Sequence, residues 1–275
     1  MNQKIIFDQI KKKRSFLCVG LDVDLKKIPK HLLSEADPIF SFCKAIIDST
    51  SKYAIAYKPN IAFFESYGSK GWESLEKVSN YLSTNYPNVF TIADAKRADI
   101  GNTASRYAEA FFKKLSFDSI TVSPYMGRDS VEPFLNFKNK YAIILALTSN
   151  DGADDFQFFM SDKIALYERV IQVSKKWKNS ERIMYVVGAT KADYLKKIRK
   201  IVPDSFLLIP GVGAQGGSLR DVVSAGMNKQ CGLIVNSSRQ ILYANGGLSF
   251  DVSAREEARK LQKIMEQELI KKGII

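Results

Sequence analysis

The sequence predicts an α/β fold, a closed (β/α)8 (TIM) barrel in which residues 1–275 form a single domain. Three observations carry this expectation. Short runs rich in β-branched and aromatic residues recur about eight times, the segments between them place apolar residues at helical spacing, and 275 residues is a common length for one such barrel. The predicted strands are Phe16 to Asp22, Ala54 to Asn60, Val89 to Lys96, Ser119 to Pro124, Ala142 to Ser149, Arg182 to Thr190, Phe206 to Gly213 and Gly232 to Ser238. Each is a nearly continuous apolar run, as parallel strands covered on both faces require.

Among the helices, the one after Asp99 puts Ala104, Tyr107, Ala108, Phe111, Phe112 and Leu115 on one face, with Asn102 or Thr103 placed to cap its start. The last helix opens with Ser253 and Glu256, which have capping-box spacing, and carries Leu261, Ile264, Met265 and Leu269 as its inward stripe. Residues Val23 to Asp37, Ile61 to Gly71 and Asn150 to Ser161 read as elaborated βα loops. No low-complexity linker or solenoid repeat divides the chain. An open, doubly wound sheet is the structural alternative.

Lys and Arg exceed Asp and Glu by 41 to 29, a net charge of +12, which favours anionic partners without choosing among nucleic acid, lipid head groups and phosphorylated metabolites. Many of the lysines fall in segments such as KKWKNSER, KADYLKKIRK and IKKGII, which read as solvated helix faces and ends. A nucleic-acid surface would need a basic stripe with stacking aromatics, and the lysines are instead spread over several helices. Cys18, Cys43 and Cys231 are odd in number and widely spaced, so they read as small buried apolar residues of a reducing cytoplasm. The basic stretch Lys11 to Arg14 precedes an apolar run that stops at Asp22, and the longest apolar run is Tyr141 to Leu147. Both are too short for a signal sequence or a membrane span, so the expectation is a soluble cytoplasmic protein with no membrane partner.

Barrels of this class place function at the C-terminal ends of the strands. There the sequence offers Asp22, then Lys58 and Asn60, then Asp94, Lys96 and Asp99, then Thr148 and Ser149, a glycine-rich turn, and finally Ser237, Ser238 and Arg239. The third strand is the most charged, ending in DAKRAD. Asp94 and Lys96 share strand parity and both point into the barrel mouth, with Asp99 at the following helix start. An exposed ion pair in a loop is the plain alternative. Carboxylates around a lysine keep it an ammonium, which suits a proton donor or carbanion stabiliser better than a Schiff-base nucleophile. The seventh strand runs into Pro210-Gly211-Val212-Gly213-Ala214-Gln215-Gly216-Gly217, whose glycines let backbone N–H groups approach an anion. Loops after the seventh and eighth strands are common phosphate sites, and Gln215 and Arg239 are natural donors there, Arg239 in bidentate fashion. His31 stands alone beside Pro29's loop, without a partner for a triad or metal site, and reads as structural.

From Asp94 through Thr103 the sequence, DAKRADIGNT, resembles the signature of the orotidine 5′-monophosphate decarboxylases, and the resemblance runs in strand order over nearly the whole chain. Its GVGAQGG turn, later NSSR and loop insertions are similar to the longer bacterial branch (type 2) of that family. The resemblance implies a homodimer acting on orotidine 5′-monophosphate to give uridine 5′-monophosphate, without metal or organic cofactor. It implies that Asp22 and Lys58 hold ribose hydroxyls, that Lys58 also positions Asp94, and that Lys96 is the proton donor. Asp99 and Thr103 would serve the neighbouring subunit's site. Ser149 would bond the pyrimidine edge, with Thr148 beside it as the competing candidate, and Gln215 and Arg239 would bind phosphate with backbone around Gly213 assisting. The Asp-x-Lys-x-x-Asp core is shared with a wider superfamily, so a metal-assisted sugar-phosphate decarboxylase or aldolase is the competing enzymatic reading.

Overall fold

The computed structural model describes residues 1–212 and 217–275. Among them, eight parallel strands close into a barrel: β1 (Leu17–Leu21), β2 (Ala54–Pro59), β3 (Phe90–Arg97), β4 (Ser119–Val122), β5 (Tyr141–Leu147), β6 (Ile183–Val187), β7 (Leu207–Pro210) and β8 (Leu233–Ser237). Each pairs with its neighbours in sequence, and the ring closes where Leu17, Cys18 and Val19 of β1 register with Val235, Asn236 and Ser237 of β8. The open-sheet alternative is thereby excluded. β1, β2, β4, β6 and β8 are buried at every residue, which explains their unbroken apolar composition: helices cover one face and the barrel interior the other.

The bottom of the barrel, where strands begin, is closed by the helix Gln3–Lys13. Asn2 caps it by accepting from Ile5 N at 2.9 Å, and Lys11, Lys12 and Lys13 occupy its last turn, where cations complement the carbonyl end. The basic stretch therefore has a local structural use. Lys13 Nζ donates to the carbonyls of Ser51 and Ala54 at 2.8 and 2.7 Å, fastening the helix beneath β2. Burial pushes the Lys13 ammonium down to about 8, with a smaller push from Lys12. With one end sealed, the cleft must open at the other.

Several local expectations are corrected. The helix after β3 is Gly101–Glu109, and neither Asn102 nor Thr103 caps it; the N-cap position is Ile100, which has no side-chain bond to give. The chain continues as a π-helical turn, Ala110–Lys114, whose wider spacing brings both Phe111 and Phe112 into the core. The last helix begins earlier than the capping-box spacing suggests, at Phe250, so Ser253 lies inside it and donates its N–H to Ser249 O. Leu261, Met265 and Leu269 are buried as expected, but Ile264 sits at the edge of the stripe and is 38% exposed. Residues read as the loop Ile61 to Gly71 form the short helix Ile61–Glu65 and the start of the helix Gly68–Asn85. Residues 150–165 contain a 3-10 turn, Asp151–Asp155, and an antiparallel pairing of Met160–Ser161 with Ile164–Ala165.

Candidate active site

The C-terminal ends of the strands open on a cleft with two arms. One, of about 410 Å³, is lined by Asp22, Lys58, Asp94, Gly211, Asn236 and Arg239 among others; the second, of about 230 Å³, by Lys96, Thr121, Thr148 and Ser149. Lys58, Asp94 and Pro210 line both, so the charge cluster stands at the junction.

The end of β3 builds that junction by leaving regular strand geometry. Ala93 pairs with Ile120 and Arg97 with Val122, so Asp94, Ala95 and Lys96 together face the single residue Thr121. Lys96 takes up the excess length in a left-handed conformation, φ 49°, which costs a residue with a Cβ roughly 1–3 kcal/mol. Thr121 repairs the interrupted ladder: its hydroxyl accepts from Lys96 N at 2.9 Å and donates to Asp94 Oδ1 at 3.0 Å. Behind the bulge, Arg97 is anchored by an ion pair with Glu65 and lies over the rings of Tyr107 and Phe111 at 5.3 and 5.7 Å. The expected convergence of Asp94 and Lys96 is thus real, but it comes from a bulge rather than from strand parity.

Asp94 is held between two ammoniums, with Lys58 Nζ 2.7 Å from Oδ2 and Lys96 Nζ 2.6 Å from Oδ1. Burial alone would raise the Asp94 pKa, yet the charges of Lys58 and Lys96 outweigh it and hold the carboxyl well below the usual carboxylate range. Likewise burial opposes the charge on Lys58, and Asp94 with Asp22 overcomes it, leaving Lys58 a firmer ammonium than a free lysine. Lys58 is buried while the Lys96 side chain is 51% exposed, so only the latter reaches freely into the cleft.

The other expected residues separate into three groups. Asp22 lies in the cleft with Oδ1 buried and without a hydrogen-bond partner among the described residues, and Asn236 Oδ1 is in the same condition. Arg239 opens the helix Arg239–Leu242 on the cleft rim, and its guanidinium bonds to none of the described residues. Gly211 (φ 93°) begins a stem closed by Gly217 N donating to Gly211 O at 3.3 Å; Gly213 and Gln215 fall within 213–216, outside the described residues. Thr148 and Ser149 both line the second arm. Asp99 and Thr103 do not enter either arm: Asp99 accepts from Ile100 N at 2.7 Å, and Thr103 is exposed on the helix that follows.

His31 sits in a 3-10 turn, its ring 6.0 Å from that of Phe250. Cys18, Cys43 and Cys231 are buried free thiols. No group of three or more His, Cys, Asp or Glu among the described residues is arranged to hold a metal ion, and no helix among them is long and apolar enough to cross a membrane.

Thr121, Asn236 and Tyr243 were not singled out by sequence reasoning. Asn236 carried a signal, a polar residue inside the apolar run GLIVNSS. Tyr243 did not: its hydroxyl donates to Asp22 O at 2.7 Å and accepts from Asp24 N at 2.8 Å across more than 200 residues of chain, fixing the β1 end.

Fold and cleft together define a (β/α)8-barrel enzyme centred on a lysine–carboxylate array at the end of its third strand. Residues 15–249 match the model of the orotidine 5′-phosphate decarboxylase / HUMPS family. The chain is 62% identical to an orotidine 5′-phosphate decarboxylase of Flavobacterium johnsoniae over 97% of this chain and 98% of that one, and 60% identical to that of Christiangramia forsetii over 98% and 100%. Among solved structures it resembles the OMP decarboxylase of Leishmania donovani, with a TM-score of 0.80 and 35% identity, covering 96% of this chain and 100% of that one. The orotidine 5′-monophosphate decarboxylase of Plasmodium berghei gives a TM-score of 0.80 at 28% identity, over 96% and 99%. The chain belongs to the orotidine 5′-phosphate decarboxylase family and is a carboxy-lyase.

Proposed function

We propose that the chain converts orotidine 5′-monophosphate to uridine 5′-monophosphate and CO₂ through a C6 carbanion that Lys96 protonates. The observation that carries this reading is the position of Asp94 between two ammoniums where the arms of the cleft meet. A nucleotide lying across the junction puts its phosphate toward Arg239 and its base toward Ser149, with the scissile bond over Asp94 and Lys96. Heterolysis of the C6–carboxylate bond releases CO₂ and leaves the electron pair on C6. An ammonium about 4 Å away at an effective dielectric near 20 is worth about 4 kcal/mol to that charge, a factor of roughly 10³ in rate. Lys96 then transfers a proton from Nζ to C6 and recovers one from solvent. The left-handed backbone at Lys96 supports this role, since strain of this kind persists where surrounding structure holds a functional group in place.

The buried, unpartnered acceptor Oδ1 of Asp22 fits a ribose hydroxyl, with Lys58 beside it holding Asp94. Arg239, without a partner among the described residues, suits the phosphate; Gln215 and backbone around Gly213 join it on the strength of the family resemblance. Both oxygens of Asp94 already face ammoniums, which repel a divalent cation, and this supports chemistry without a cofactor over a metal-held enediolate. Asp99 and Thr103 lie beside exposed Ile100, and the neighbouring loop after β4 exposes Tyr125 and Met126. That apolar rim supports a homodimer in which Asp99 and Thr103 enter the partner's cleft. The reading makes this a cytoplasmic enzyme of pyrimidine biosynthesis.

The test is to follow orotidine 5′-monophosphate absorbance with purified, chelator-treated protein. Rapid conversion to uridine 5′-monophosphate is expected; a folded dimer that gives none, and instead turns over a ketose phosphate once magnesium is added, would overturn the reading.

A further inference from the structure

We propose that Gln157, in the segment inserted after β5, is a positioning residue whose carboxamide sets the end of that strand so that Ser149 meets the pyrimidine. The inference rests on the pyrimidine-reading role given to Ser149 above. The last ladder contact at this end of β5 is Leu147 O accepting from Gly188 N at 2.8 Å. One residue further on, a side chain takes over from the sheet. Thr148 N donates to Gln157 Oε1 at 2.8 Å, and Gln157 Nε2 donates to Thr148 Oγ1 at 2.8 Å. Two parallel bonds from one planar amide fix direction as well as distance, as a neighbouring strand would. Thr148 Oγ1 gives its own proton to Asn150 Oδ1 at 2.6 Å. Its one hydroxyl proton is therefore committed within the protein, which holds the Thr148 side chain against the inserted segment.

Gln157 can impose this geometry because it is itself held. Its N–H donates to Ala153 O at 2.8 Å and its carbonyl accepts from Tyr167 N at 3.0 Å. The next residue, Phe158, packs against Tyr167 and Tyr194 with ring centroids 5.8 and 5.2 Å away, and Lys191 Nζ lies 4.8 Å over its ring. Lys191 also pairs with Asp154 at 3.8 Å, tying the insertion to the loop after β6. On its other side Ser149 abuts Gly188, where an added Cβ would come 2.7 Å from that of Ser149. Ser149 thus sits between a clamp on Thr148 and a wall at Gly188, in the arm of the cleft that also holds Lys96. Releasing the clamp lets the strand end shift relative to Lys96, and a misplacement near 1 Å can cost on the order of 10²-fold in rate.

The experiment measures kcat, KM and thermal midpoint for Gln157→Leu, Gln157→Glu, Ser149→Ala and the double variant Gln157→Leu/Ser149→Ala, with orotidine 5′-monophosphate as substrate. Gln157→Leu is expected to lower kcat/KM on the order of ten- to a hundredfold with a midpoint close to wild type. Gln157→Glu keeps the acceptor for Thr148 N and should lose less. In the Ser149→Ala background Gln157→Leu should cost little more, because the group it aims is gone. Independent, multiplying losses, or a Gln157→Leu enzyme equal to wild type while Ser149→Ala is impaired, would overturn the clamp and leave the pyrimidine reading standing. A Ser149→Ala enzyme near wild type would be the separate failure of that reading. Should Gln157→Leu not fold, Gln157→Glu in both backgrounds decides by the same criteria.

Discussion

Replacing Lys58 by Met keeps most of the apolar stem of a buried side chain and removes its ammonium, the charge together with the hydrogen bond to Asp94. At 2.7 Å and an effective dielectric near 20, the attraction between Lys58 and Asp94 is about 6 kcal/mol before desolvation is subtracted. Breaking a buried pair by removing one partner typically costs about 3–5 kcal/mol, because the surviving charge stays out of water. Here Asp94 retains Lys96 at 2.6 Å, but that side chain is 51% exposed and screened by solvent, so we expect the low end, about 3 kcal/mol. For a domain of this size that is a fall in Tm of roughly 6–12 °C. Asp94→Asn removes the stranded charge, so Lys58→Met/Asp94→Asn should be more stable than the sum of the single losses by about 2 kcal/mol. Urea or thermal unfolding of the four proteins at pH 7 measures the cycle. A loss under about 1 kcal/mol in Lys58→Met, or additive single losses, would refute a dry, strongly coupled pair.

Two further outcomes follow from the same geometry. Asp94 has a folded pKa held below its unfolded value of about 3.9, so its contribution to stability is complete above that pH and is lost as pH falls below it. Acid titration of stability should therefore narrow the gap between wild type and Asp94→Asn progressively as pH falls below about 4, and a gap that stayed constant down to pH 2 would contradict this. If Asp99 acts across a dimer interface, mixing inactive Asp99→Ala and Lys96→Ala proteins should restore up to about a quarter of the activity through hybrid dimers. No recovery despite demonstrated subunit exchange would count against the shared site.

The strands were legible because burial on both faces leaves an unmistakable apolar run, and the barrel followed from their number and spacing. The polar residues at their ends were legible for the complementary reason: Asp22, Lys58, Asp94 and Lys96 each interrupt or end such a run. What stayed hidden depends on contacts between distant residues or on conformations that residue type does not advertise. Lys96 adopts φ 49° with no glycine or asparagine to signal it, held by Thr121 from the next strand. The hairpin at 160–165 turns through Asp162 and Lys163, both at positive φ, where Asn-Gly would have been the readable signature. Ser253 and Glu256 have capping spacing, yet the helix starts at Phe250, whose burial beside Phe42 outweighs a local hydrogen bond. The Gln157 clamp lies in a segment whose sequence alone reads as an inserted loop, and its purpose appears only when its carboxamide is seen on Thr148.

Proton delivery from Lys96 to C6 is read out by Lys96→Ala when turnover and nucleotide affinity are measured on the same preparation. If Lys96 is the donor, orotidine 5′-monophosphate decarboxylation falls by more than about 10⁴-fold while binding of uridine 5′-monophosphate stays within about tenfold of wild type. Turnover within about tenfold of wild type would contradict it and assign the proton to another donor.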